Sequence, residues 1–263
     1  MTEIFNLIKY SFTDLPKLVQ ARFLSWNKTI VYFLFLTFIL AVPITTDIWT
    51  YSDELISDAQ KISNQLPAFK VANGEITQTI EPSIYQTNHF IVTLDPKNKR
   101  KFSEINTDAS GDATAIVFRK QELRIVLPNN NLTNEFETPR HFKFSYQALG
   151  NFSSQSIKQA LIKLHKPLWL FIVTYLISLL PSLQNLLFLV LTIAIIVKLF
   201  SLFSKNAQLS FAEIFKAVLV CSTPAIVLTT LLSFIFPTLD FYFIQTVMTY
   251  ILYYHIFKKV NLS

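Results

Sequence analysis

The chain is poor in glycine, cysteine and charge. Its 263 residues include three glycines, Gly74, Gly111 and Gly150. A dinucleotide-binding fingerprint needs closely spaced glycines, and a phosphate-binding loop needs two of them ahead of a Lys-Ser/Thr pair. Neither can be assembled from these positions. The single cysteine, Cys221, excludes a disulfide framework and a cysteine-rich zinc site. Charged residues make up 15% of the chain, against about 25% in a typical soluble domain.

Hydrophobic residues make up 51% and aromatic residues 14%, and they are gathered into runs. A hydrocarbon core about 30 Å thick needs roughly 20 apolar residues in a helix. Thr29–Thr46, Ala217–Phe236 and Phe241–Phe257 meet that need without a charge. Leu168–Phe203 is longer, with Lys198 as its only charge. As one helix it would measure about 54 Å. As two spans it would split near Pro181-Ser-Leu-Gln-Asn185, leaving a short first half. The favoured reading is one Pro-interrupted crossing, with a five-span alternative open.

Charge sets the orientation. Lys9, Lys17, Arg22, Lys28, Lys198, Lys205, Lys216, Lys258 and Lys259 flank the spans on one side, against Glu3, Asp14 and Glu213. The 47–166 segment is nearly neutral. The formal charge of +6 is thus almost wholly on one side, which predicts cytoplasmic termini by the positive-inside rule. Topology and anionic headgroups account for the basic balance, and nucleic acid is not an expected partner. The first apolar run starts late and has no small-residue cleavage site, so it reads as an uncleaved anchor. Apolar residues interleaved with Lys and Arg ahead of it read as an interfacial helix on the inner leaflet, interrupted at Pro16.

Residues 47–157 have ordinary soluble composition. Asp53–Gln65 has helical spacing, ended by Pro67. Asn73-Gly74 between alternating apolar residues is a hairpin signal. His89–Leu94, Ala115–Phe118, Leu123–Leu127 and His141–Tyr146 read as strands. Ser156–Lys166 is an amphipathic exit. The exported domain has no cysteine, and lysine outnumbers arginine 18 to 5, which fits a bacterial surface and an AT-rich genome.

The fold expectation is an α-helical integral membrane protein of four spans, five being possible, with an inserted extracytoplasmic α+β domain. In order, these are a cytoplasmic amphipathic segment (1–28), span one (29–46), the extracytoplasmic domain (47–166) and span two (167–203). A cytoplasmic loop (204–216), span three (217–236), span four (241–257) and a cytoplasmic tail (258–263) follow.

Certain segments carry a resemblance: Leu66-Pro67-Ala-Phe69-Lys-Val-Ala-Asn73-Gly74-Glu75-Ile76, the His89–Asp95 strand, and Leu209-Ser-Phe-Ala-Glu-Ile-Phe-Lys216 running into Val220-Cys-Ser-Thr-Pro224. The whole chain resembles the bacterial membrane-protein family of domain of unknown function 1189. The resemblance implies a low-GC Gram-positive source and a distant likeness to the Yip superfamily of multi-span proteins. Some members of that family are labelled maltodextrin utilisation protein. The family has no established catalytic residues, so none is carried over.

Chemistry-bearing residues are sparse. His89, His141, His165 and His255 share no metal-binding spacing, and no H-E-x-x-H is present. His89 and His141 read as strand-end histidines, and His255 as an interfacial anchor. Lys198 can snorkel to the inner interface. Gln184, Asn185 and Gln245 read as interhelical hydrogen-bonding groups. Ser222, Thr223 and Pro224 form a packing or hinge element, in which neighbouring hydroxyls or Gln245 resatisfy the backbone opened by the proline. The candidate structural or coupling residues are therefore Asn73, Gly74, Lys198, Ser222, Thr223, Pro224 and Gln245, with no catalytic, cofactor or metal residues expected. The expected role is a non-catalytic accessory, sensing or scaffolding subunit of an envelope system in the bacterial plasma membrane, its partners the bilayer and another membrane protein. A small-solute transporter or transport accessory, carbohydrate-linked if the family label holds, is the alternative, and a membrane enzyme the third.

Overall fold

The computed structural model describes residues 2–77, 81–108, 113–128, 141–202, 209–237 and 239–258. Lys205 and Lys259, counted above among the cytoplasmic charges, lie outside these residues. The chain forms two compact units, Met1–Trp49 with Pro167–Ser263, and Thr50–Lys166.

The first unit is helical. It contains α1 (Thr2–Thr13), a 3-10 segment (Leu15–Phe23), the first part of α2 (Trp26–Gln65), α6 (Leu168–Leu202), α7 (Phe211–Cys221), α8 (Thr223–Ile235) and α9 (Tyr242–Lys258). Three helical stretches are long and apolar enough to cross a membrane: α2, α6 and the run through α7 and α8. At 17 residues α9 is just shorter. The 168–202 stretch is one helix with Pro181 inside it. Its core is made of Leu36, Leu186, Val190, Ile193, Val218 and Leu219, all essentially without solvent exposure.

Residues ahead of the first span join that core. Pro16 stands in the first turn of the 3-10 segment, where a missing N–H is tolerated, and Leu18 and Ala21 are fully buried. One face of the N-terminal segment packs into the unit's own core, because its apolar residues find α7 as a partner.

The second unit is α+β. The final part of α2 leads into β1 (Lys70–Ala72) and β2 (Glu75–Ile76), then β3 (Ser83–Gln86), β4 (Phe90–Asp95) and α3 (Phe102–Asp108). There follow β5 (Thr114–Arg119), β6 (Glu122–Val126), β7 (His141–Ser145), α4 (Tyr146–Leu149), β8 (Phe152–Ser153) and α5 (Ser154–Ile162). Among the described residues, one sheet has the order β2-β1-β8 and the other β3-β4-β5-β6-β7. Only the β4–β5 pair in the larger sheet is parallel, with Val92 opposite Ile116. The crossover between them holds α3, as a parallel connection requires.

Strand β5 is buried on both faces, which explains its continuous apolar run. Ala115 and Val117 meet Ile105 and Val126 on one side. Ile116 and Phe118 join Ile62, Phe69, Val71 and Tyr146 on the other. The helix expected over Asp53–Gln65 is not separate, since α2 is unbroken from Trp26 to Gln65. His141–Tyr146, expected as the last strand, is followed by another: β8 pairs with β1, and Ser153 caps α5 in a reciprocal box with Ser156.

Candidate functional site

The sequence-predicted residues fall in both units. In the helical unit, Ser222 separates α7 from α8 with φ −74° and ψ −15°. Pro224 occupies the first turn of α8, where the N–H it lacks has no helical acceptor to serve. The Ser222 N–H donates to the Val218 carbonyl at 2.9 Å, and its hydroxyl donates to Leu219 O at 2.8 Å. Pro224 itself is half-buried, between buried Thr223 and Ala225.

The other two expected donors serve different groups. Thr223 Oγ1 lies 2.7 Å from the Tyr32 hydroxyl of α2. Gln245 Nε2 of α9 donates to Thr229 Oγ1 at 2.6 Å, and that hydroxyl donates to Ala225 O at 2.8 Å. The break in the third apolar run is thus tied to α2 through Thr223, and α8 to α9 through Thr229. Tyr32 was not singled out from sequence, because a tyrosine inside an apolar run reads as filler. Lys198 donates to Leu209 O at 3.0 Å, so its ammonium satisfies a carbonyl just ahead of α7.

In the α+β unit, Asn73 has φ 55° and Gly74 φ 82°, with Ala72 paired to Glu75 across them. Two positive φ values in a two-residue loop define a type I′ hairpin. The turn is structural. A cavity of about 160 Å³ lies elsewhere in the same unit. Its walls include Ala59 and Ile62 of α2, Leu66 just after it, Phe90 and Ile116 of the sheet, and Leu161 of α5. Its walls are apolar, and a space of about that size accepts a small ring.

A buried carboxylate stands on α2 in this unit. Asp58 is 4% exposed. Its Oδ2 accepts from His89 Nδ1 at 2.9 Å and from the His89 backbone N–H at 3.3 Å, while Lys61 Nζ donates to Oδ1 at 3.0 Å. His89 Nε2 is 3.6 Å from Glu54 Oε2, and Tyr51 meets the imidazole edge-on. The His89 and Lys61 hydrogen bonds hold the Asp58 carboxyl down at about 2. His89 is therefore a docking point for α2 at the head of β4. His141, on β7, is separated from β4 by two strands, so the two histidines form no pair. The separation of 31 positions between Asp58 and His89 hides their contact in the sequence.

No group of three or more histidine, cysteine or acidic side chains suited to a metal ion occurs among the described residues. No curated protein and no solved structure matches the chain. The family model described as protein of unknown function (DUF1189) matches residues 5–257. With that match covering nearly its whole length, the chain belongs to the DUF1189 family.

Proposed function

We propose that the chain is a four-span protein of the bacterial plasma membrane with both termini in the cytoplasm, acting as a non-catalytic sensing or accessory subunit for another envelope protein. In this reading Thr50–Lys166 is the extracytoplasmic part. The unbroken α6 supports a single crossing between that domain and the basic residues that follow it. Helix α9 supplies the fourth span. At about 26 Å it is close to the hydrocarbon thickness, and it carries no charge before Lys258.

The observation that carries the sensing role is the shared helix. Residues 59 and 62 of α2 wall the apolar cavity, and Tyr32 of the same helix bonds Thr223 at the α7/α8 break. An apolar ligand or partner side chain entering the cavity would act on the helix that holds the break.

Two results are expected. Reporter fusions after Asn98 read extracytoplasmic, and fusions after Ser210 and Lys258 read cytoplasmic; an outside signal at Ser210 would replace four spans by five. In crosslinking pull-downs from native membranes, Tyr32→Phe and the cavity-filling Ala59→Leu should each change the yield of the partner adduct at least about threefold, with membrane insertion unchanged. Adduct yields equal to wild type in both variants would sink the sensing role.

A further inference from the structure

Helix α6 carries two carboxamides in an open groove beside the start of α9. Gln184 is exposed and Asn185 half-buried. Lys198, held by the Leu209 carbonyl at 3.0 Å, marks the inner limit of the apolar stretch. A hydrocarbon core of about 30 Å takes in roughly 20 residues, back to about position 178. Gln184 then lies about 9 Å inside the outer boundary, too deep for a short carboxamide to reach the headgroups. Among the described residues neither carboxamide makes a hydrogen bond.

Both lie on one stripe. Pro181, Gln184, Asn185, Phe188 and Thr192 recur at the spacing of a single helix face, and with Tyr242 they line an open groove of about 440 Å³. Pro181 has no N–H to offer the Ile177 carbonyl one turn back on the same face. The stripe thus combines two side-chain amides with a backbone acceptor that lacks its helical donor. Helix α6 is also the least covered candidate span: 28% of its most apolar window is buried, against 39% for α2 and 56% for the α7–α8 run.

We propose that this face of α6 is a homodimer interface, with the stripe packed against the same stripe of a second copy and the carboxamides hydrogen-bonded across a twofold axis. A polar side chain left against lipid is an unpaired group in hydrocarbon, and helix–helix contact removes that cost. The occupant follows from the chemistry. A carboxamide has two donors and an acceptor with two lone pairs, so Gln184 and Asn185 complement themselves. A twofold contact requires that self-complementarity, and the stripe carries no formal charge that would call for an opposite partner. Phe188, 55% exposed, supplies apolar contact beside the amides.

The test uses the full chain in native membranes, with Cys221→Ser removing its only cysteine. Phe188→Cys and Thr192→Cys are each introduced singly. Leu187→Cys is the control, at the same depth but about 100° round the helix from Phe188. Mild oxidation should give a disulfide-linked dimer from the first two and at least fivefold less from the control. Adding Gln184→Leu with Asn185→Leu to the Phe188→Cys chain should lower the dimer yield about tenfold while the amount of inserted protein stays constant, because leucine suits a span at least as well. Equal crosslinking at Leu187, an unchanged yield in the double-leucine chain, or adducts formed solely with a different membrane protein would each overturn the homodimer.

Discussion

Asp58→Ala should destabilise the Thr50–Lys166 unit by about 3 kcal/mol, the cost of breaking a buried, hydrogen-bonded charge pair. The carboxylate accepts from the His89 ring, the His89 backbone and Lys61. Alanine leaves the first two donors at a half-buried site with no acceptor. In a domain of this size that loss lowers the melting temperature by at least about 10 °C. Asp58→Asn keeps the shape and an acceptor oxygen, so its effect should be roughly half as large. Acid unfolding gives a second readout. The folded carboxyl is pulled down to about 2 from an ordinary 3.8. A depressed carboxyl stabilises the fold fully above its unfolded value, and that contribution drains away as pH falls from about 4 towards 2. His89, Lys61, Glu54 and Tyr51 surround the site. The Asp58→Ala chain should lack this part of the acid transition, and wild-type melting at neutral pH in that chain would show that the cluster holds nothing.

What was legible in the sequence was local. Apolar runs longer than a bilayer needs announce membrane helices whatever they pack against, and Asn73-Gly74 announces its turn because few other residue pairs accept two positive φ values. The strands are offset from their expected bounds by at most one residue, since alternation marks a strand's middle better than its ends. Non-local facts were hidden. The parallel pairing of β4 with β5 depends on a crossover through α3, and short apolar runs do not encode direction. The continuity of α2 past Asp47 was hidden too, because polar residues end an apolar run without ending a helix.

The α7/α8 junction shows the same limit at finer scale. Thr223-Pro224 inside an apolar run is equally the interior of a kinked helix or the start of a new one. Ser222 decides between them, by taking the last bonds of α7 on its N–H and hydroxyl and offering its carbonyl to Ile226 at 2.9 Å. With the break already satisfied by Ser222, Thr223 is free for Tyr32 and Gln245 for Thr229. The sequence marks these polar side chains but not the partners of Thr223 and Gln245, because each of those partners lies on another helix.

Gly74→Val should cost the α+β unit about 2–4 kcal/mol, combining a left-handed backbone that a β-branched residue resists with a steric conflict. Gly74 has φ 82°. A Cβ built there would stand 2.8 Å from Cγ of Gln147 on α4, so that side chain must move. The damage would not stay in the turn. β1 is the central strand of its sheet, flanked by β2 and β8. β2 is tied to the β5–β6 turn by the Ile76 N–H on Lys120 O at 2.9 Å, and β8 leads directly into the capped start of α5. Two alanine variants separate the contributions. Gly150, with φ 77° and ψ −169°, has open space where its Cβ would go, so Gly150→Ala measures a conformational cost alone, about 1–3 kcal/mol. Gly74→Ala adds the Gln147 conflict to its own conformational cost. The measurement is thermal unfolding of residues 50–166, a segment that keeps β8 and α5. Melting of Gly74→Val within about 2 °C of wild type, where roughly 10 °C or more is expected, would mean that the hairpin does not hold the sheet together.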